Sequence, residues 1–129
     1  MKLLHSIFLF VPWLVSCDPV TIHVFEPQVS GVPVRTPEAR SRLRTAVEGV
    51  ARRHELVQWP TGLRVAPIIR DETLALYGHP PDSGSSSSLD LVLIRDHSSG
   101  TDKVQIIEWR FTRSDESKAV EREIQASLP

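Results

Sequence analysis

The chain has 129 residues, with 15 Lys and Arg against 16 Asp and Glu, 40% hydrophobic residues and 24% charged ones. These are the proportions of one ordinary globular domain, neither collagen-like nor disordered, and the near balance of charge argues against a nucleic-acid partner, because phosphate binding needs a concentrated basic surface. A single cysteine excludes an internal disulfide and any zinc cluster of the Cys-x-x-Cys kind.

Lys2 supplies one positive charge, and residues 3–15 are apolar except at His5 and Ser6. A bilayer core of ~30 Å needs ~20 helical residues, so this run is short for a span and has the length of a signal-peptide apolar region. Pro12 weakens a helix there. The run ends in Leu14-Val15-Ser16-Cys17, which resembles the lipobox of bacterial lipoproteins, where a small residue precedes a cysteine that is lipidated on sulfur before cleavage. The resemblance covers residues 1–17 only, but leader, tetrapeptide and sole cysteine coincide. It implies a signal peptide over residues 1–16 and a single small domain over residues 17–129, anchored by acylated Cys17. The anchored chain would sit on the cell membrane, facing the periplasm or the exterior. Asp18 resembles the inner-membrane retention signal of enterobacterial lipoproteins, a rule that differs among bacteria, so either membrane stays open. Two other readings of the same residues are cleavage after Cys17 by a conventional signal peptidase and an uncleaved, buried N-terminal segment.

Residues 20–25 alternate and are rich in β-branched side chains, which predicts a strand. It would begin within ~10 Å of Cys17 and hold the domain close to the membrane. Pro27, Gly31 and Pro33 mark residues 26–35 as a loop. Thr36 then caps a helix that opens on Pro37 and runs to about Glu55, with Ala39, Leu43, Ala46, Val47, Val50 and Ala51 on one stripe. Residues 56–70 are punctuated by Pro60, Gly62 and Pro67 and either hold a short strand or cover the core. Residues 73–78 read as a strand with Leu74 and Leu76 on one side and Ala75 and Tyr77 on the other. Residues 80–88 are a polar, serine-rich loop. Residues 89–95 predict a strand apolar on both faces and therefore central. Residues 103–112 predict the last strand, where Val104 and Ile106 are out of phase with Ile107, Trp109 and Phe111, so that either a bulge intervenes or both faces are packed. Ser114 caps a closing helix with Asp115 and Glu116 in its first turn and Val120, Ile124 and Leu128 inward. The order predicts an α+β fold, a small antiparallel meander with two helices packed on one face.

Signatures of chemistry are sparse. No His-Glu-x-x-His occurs, and His23, His54, His79 and His97 fall singly in four segments, as solvated or locally hydrogen-bonded histidines do. His79 and His97 each follow a strand, but antiparallel neighbours would set them at opposite ends. Gly-x-Ser-x-Gly and Ser-x-x-Lys are absent. No catalytic residue, metal ligand set or cofactor is assigned, and the one site residue is the lipidation site Cys17. Arg40, Arg42 and Arg44, with Arg52 and Arg53, outnumber Glu38, Glu48 and Glu55 on the first helix. The three are candidates for a membrane-facing basic surface, worth about 1 kcal/mol per well-placed charge. The alternative is an ordinary solvated face with Arg44 and Glu48 as an i,i+4 pair. Trp59, Tyr77 and Trp109 read as core, with Trp59 beside Pro60 as the alternative partner anchor. The expectation is a non-enzymatic binding or interaction module of the bacterial envelope, contacting membrane lipid through Cys17 and an envelope protein through its surface. The alternatives are a small envelope enzyme or ligand-binding domain with a pocket near Arg95, Asp96 and His97, and a mainly lipid-interacting domain.

Overall fold

The computed structural model describes residues 19–61, 71–80 and 89–129. Strand β1 is Thr21–Phe25, and β2 (Gln28–Val29) and β3 (Val32–Pro33) form a small hairpin before helix α1 (Pro37–Arg53). Strands β4 (Val57–Trp59), β5 (Asp71–Gly78), β6 (Leu89–Asp96) and β7 (Thr101–Glu108) follow, and helix α2 (Asp115–Ala126) closes the order. The main sheet has the spatial order β1-β7-β6-β5-β4 and is antiparallel throughout. Strands β4 to β7 form the meander, and β1 adds to its far edge. The fold is α+β.

Side-chain chemistry accounts for the layers. The β6 residues Leu89, Leu91 and Leu93 point to one face at 0–2% exposure and meet Leu43, Val47 and Val50 of α1 and Val120 and Ile124 of α2 in one cluster. Val104 and Ile106 of β7 join the same cluster, which places both helices on that face. The opposite face carries a smaller cluster of Leu76, Val92 and Ile94, with Trp59 and Ile107 against it. Because β6 is apolar on both sides, it takes a central position, as its sequence predicts.

The capping expectations hold. Thr36 has extended backbone and its hydroxyl accepts from the Ala39 N–H at 3.2 Å, with Pro37 at the first helical position. Ser114 does the same for α2 through the Ser117 N–H.

Four details differ from the sequence reading. Residues 26–35 are not only loop: Ser30 and Gly31 both have positive φ, the geometry of a tight primed turn, and this closes the β2–β3 hairpin. Strand β5 begins at Asp71 rather than 73. A register shift between Thr73 and Ala75 swings Leu74 toward the helix-side core while Leu76 stays on the other face, so the two leucines do not share a side. The last strand ends at Glu108 rather than 112, and its pairing with β6 is regular, so the phase change is met by packing on both faces and not by a bulge. Beyond Glu108 the chain leaves the ladder, because the Glu108 carboxylate accepts from the backbone N–H and the hydroxyl of Ser114 and draws the chain into the cap of α2.

Truncating the central leucine face tests this packing. Leu91→Ala should lower unfolding free energy by about 2–5 kcal/mol in urea titration. Ile22→Thr, on the half-exposed face of β1, should shift it by less than about 0.5 kcal/mol.

Candidate functional site

The antiparallel order sorts the titratable side chains into two groups at opposite ends of the sheet. At one end lies the β6–β7 turn. Here the carboxylate of Asp102, with a side chain 2% exposed, accepts from Arg95 Nε at 2.9 Å and stands 3.5 Å from Arg40 Nε. Arg40 also donates to the Gly100 carbonyl at 2.9 Å. The bond to Asp102 holds the Arg95 guanidinium more firmly charged than usual. Asp96 accepts from the Ser98 hydroxyl and backbone and from Lys103, and these donors, the hydroxyl foremost, hold its pKa well below the ordinary carboxylate range. His97 stands 3.4 Å from Glu72. Arg95, Asp96 and His97, the proposed pocket residues, are thus each turned to a neighbour on β7, in the turn or on β5.

The other end collects the C-terminus of α1, the end of β5 and the start of α2. His54, the C-cap of α1, bonds Glu123 through Nε2 at 2.6 Å, and Arg53 reaches the same carboxylate at 3.2 Å. His54 Nδ1 lies 4.0 Å and His79 Nε2 3.9 Å from Glu116 Oε1. His79 Nε2 and Glu116 Oε1 are buried atoms without a hydrogen bond. The His54 bond, aided by Arg53 and opposed by partial burial, lowers the Glu123 pKa below its ordinary value of 4.5. His23 on β1 is 2.9 Å from Glu121, which also receives Arg113 at 2.6 Å. Among the described residues no group of three His, Cys, Asp or Glu side chains is set to hold a metal ion. The predicted separation of His79 and His97 holds: Gly78 pairs with Asp90 and Asp71 with Asp96, eight-residue strands apart.

Cys17 lies outside the described residues. Of the predicted basic surface, Arg40 is held at Asp102, Arg44 reaches the Leu74 carbonyl at 3.4 Å, and Arg42 is exposed. Arg42, with Thr45, Gly49, Arg53 and Ser127, lines an open groove of about 410 Å³ on the flank of α1. The N-terminal half of α1 therefore sits at the β6–β7 turn. β1 begins at the opposite end, where Thr21 pairs with Glu108; from Glu108 to Asp102, β7 covers about 20 Å at ~3.3 Å per residue.

Two aromatic side chains fall outside the sequence reading. Trp109, expected in the core, is 55% exposed, and Phe111 is 87% exposed. Ile22 and Val24 on the outer face of β1 and Val20 just before it are also exposed large apolar residues. Extending the β1–β7 register by one residue sets Val20 opposite Trp109. The available signal was the phase change in residues 103–112, which left the two aromatics on a side that no predicted helix covers.

No family model matches the chain, and neither curated proteins nor solved structures give a match to it.

Two outcomes follow. Asp102→Asn should cost about 2–3 kcal/mol, because it leaves two half-buried guanidiniums without their anion, whereas Arg42→Ala should change stability by less than about 0.5 kcal/mol. Because the folded-state pKa of Glu123 is depressed, its contribution is present above pH 4.5 and is lost as pH falls through the lower folded value. Glu123→Gln should therefore reduce the stability difference between pH 6 and pH 3, by about 0.5 kcal/mol for so exposed a pair, as read by thermal denaturation across that range.

Proposed function

We propose that the chain is an exported lipoprotein of the bacterial cell envelope, anchored in the membrane through acylated Cys17, and that its domain acts as a binding module rather than a catalyst. The observation that carries this reading is the coincidence of a short apolar leader, the Leu14-Val15-Ser16-Cys17 tetrapeptide and the only cysteine of the chain. The fold sets how far from such an anchor the sheet would lie. β1 starts at Thr21, so the chain from Cys17 to the first paired residue spans at most about 14 Å, and an anchor at Cys17 would hold the sheet beside the bilayer. Two or three acyl chains at ~0.8 kcal/mol per buried methylene give a durable attachment.

The binding role rests on what the surface offers. Charged side chains at both ends of the sheet face partners of opposite charge, while Ile22 and Val24 of β1 and Trp109 and Phe111 beyond β7 are exposed, large and apolar. Such surface is suited to association with another molecule. An envelope protein, including an enzyme that such a module would inhibit, remains the proposed partner for the rest of the surface.

Intact mass of the protein extracted from bacterial membranes decides the anchor. A chain beginning at Cys17 and heavier by glycerol and two or three acyl groups is the expected result, with the modification abolished in Cys17→Ser. An unmodified chain beginning at Asp18 would sink the lipoprotein reading in favour of ordinary secretion.

A further inference from the structure

We infer that the domain inserts the loop after β7 into the membrane interface, with Trp109 and Phe111 as the inserted side chains and the outer face of β1 lying along the bilayer. This deepens the lipoprotein reading and rests on it for the position of the anchor.

Four observations converge on this surface. First, it is apolar and open: Phe111 is 87% exposed, Trp109 55%, and Val20, Ile22 and Val24 between 40% and 46%. Second, the loop is braced rather than loose. The Glu108 carboxylate receives Ser114 at its far side, Arg113 donates to the Ser117 hydroxyl at 2.8 Å and to Glu121 at 2.6 Å, and the carbonyl of Arg110 accepts from the Thr21 hydroxyl at 2.5 Å. These bonds hold the backbone on either side of Phe111 while its ring stands in solvent. Third, the bond from Thr21 ties the loop to the start of β1, and the chain length from Cys17 to Thr21 keeps the two within about 14 Å. Acyl chains at Cys17 would therefore enter the bilayer beside this loop. Fourth, the order Trp109-Arg110-Phe111 alternates aromatic and basic side chains, with Arg110 exposed. Tryptophan favours the interfacial zone, where its ring is half solvated, and an adjacent arginine meets phosphate headgroups. The predicted basic face of α1 is the poorer candidate for the same role, because Arg40 sits at the end of the sheet remote from Thr21 and is spent on Asp102.

The surface therefore supplies a second contact besides the anchor, fixing which way the domain faces. The helices, packed on the other side of the sheet, would then face away from the membrane.

The test uses the whole chain expressed in bacteria, carrying Trp13→Phe and Trp59→Phe so that Trp109 is the sole tryptophan, with circular dichroism to confirm folding. Protein recovered from membranes is reconstituted in vesicles of phosphatidylethanolamine and phosphatidylglycerol that contain lipid brominated at shallow or deep acyl positions. Trp109 emission should shift to the blue and be quenched more by the shallow bromines than by the deep ones. In a Cys17→Ser background, replacing Phe111 with Ser should lower partitioning into the same vesicles about tenfold. Intact mass is read on every sample, which separates the two claims. Acylated protein whose Trp109 is neither shifted nor quenched overturns the insertion while the lipoprotein reading stands. The same result with residues 109–111 protected from hydrogen exchange in native membranes assigns the surface to a protein partner, and also overturns it. Unacylated protein whose Trp109 is quenched removes the anchor but upholds the inserting surface. Unacylated and unquenched protein removes both.

Discussion

The row of Leu89, Leu91 and Leu93 on β6 is the contact on which the rest of the structure depends. Both helices lay their apolar stripes on it, and the neighbouring strands add Val104, Ile106, Ala75 and Tyr77 at its sides. A strand that is buried on this face and also carries Val92 and Ile94 on the other cannot lie at an edge. Its central place then leaves the short β4 and the half-exposed β1 as the outer strands. The topology follows from that one requirement together with the short β6–β7 turn, where Gly100 takes the positive φ that the reversal needs.

Charge is arranged around this core in a way that orients the elements more than it drives folding. Asp102 is buried at the start of β7 and pairs with Arg40 from α1 and Arg95 from β6, so it fixes where the helix crosses the sheet. His54 and Arg53 on one helix and Glu123 on the other do the same at the opposite end. Once desolvation is counted such pairs contribute little net energy, although removing one partner of the buried Asp102 group is costly, and each excludes a sliding of one helix that apolar contacts alone would tolerate.

The apolar surface around Trp109 arises from the same economy of partners. Glu108 caps α2 through Ser114, and that forces the chain out of the ladder one residue before Trp109. The capping requirement of a helix thus creates a projecting loop beside the start of β1, tied to it by the Thr21 hydroxyl, and a surface feature follows from a local hydrogen-bonding need.

Much of the architecture was legible in the residues themselves. Thr36-Pro37 and Ser114 mark helix starts because an exposed N–H demands an acceptor, and the stripes from Leu43 to Val50 and from Val120 to Leu128 follow the helical period whatever they pack against. The alternation in β1 and the two-faced pattern of β6 are equally local, and with short connections they imply an antiparallel meander. The apolar run of residues 3–15 and the single cysteine after it belong to the sequence alone. The tertiary structure decided what depends on distant partners. The register shift at Thr73 sends Leu74 inward because the helix layer needs it there. The pairing of Asp102 with Arg40 joins residues that no spacing rule connects. The exposure of Trp109 and Phe111 could not be read from composition, since an aromatic in a strand pattern is usually core, and only the capping of α2 by Glu108, a contact between elements, ends the strand before them. Periodicity records what a segment can bury; which surface is left uncovered is settled only when all the segments have been packed.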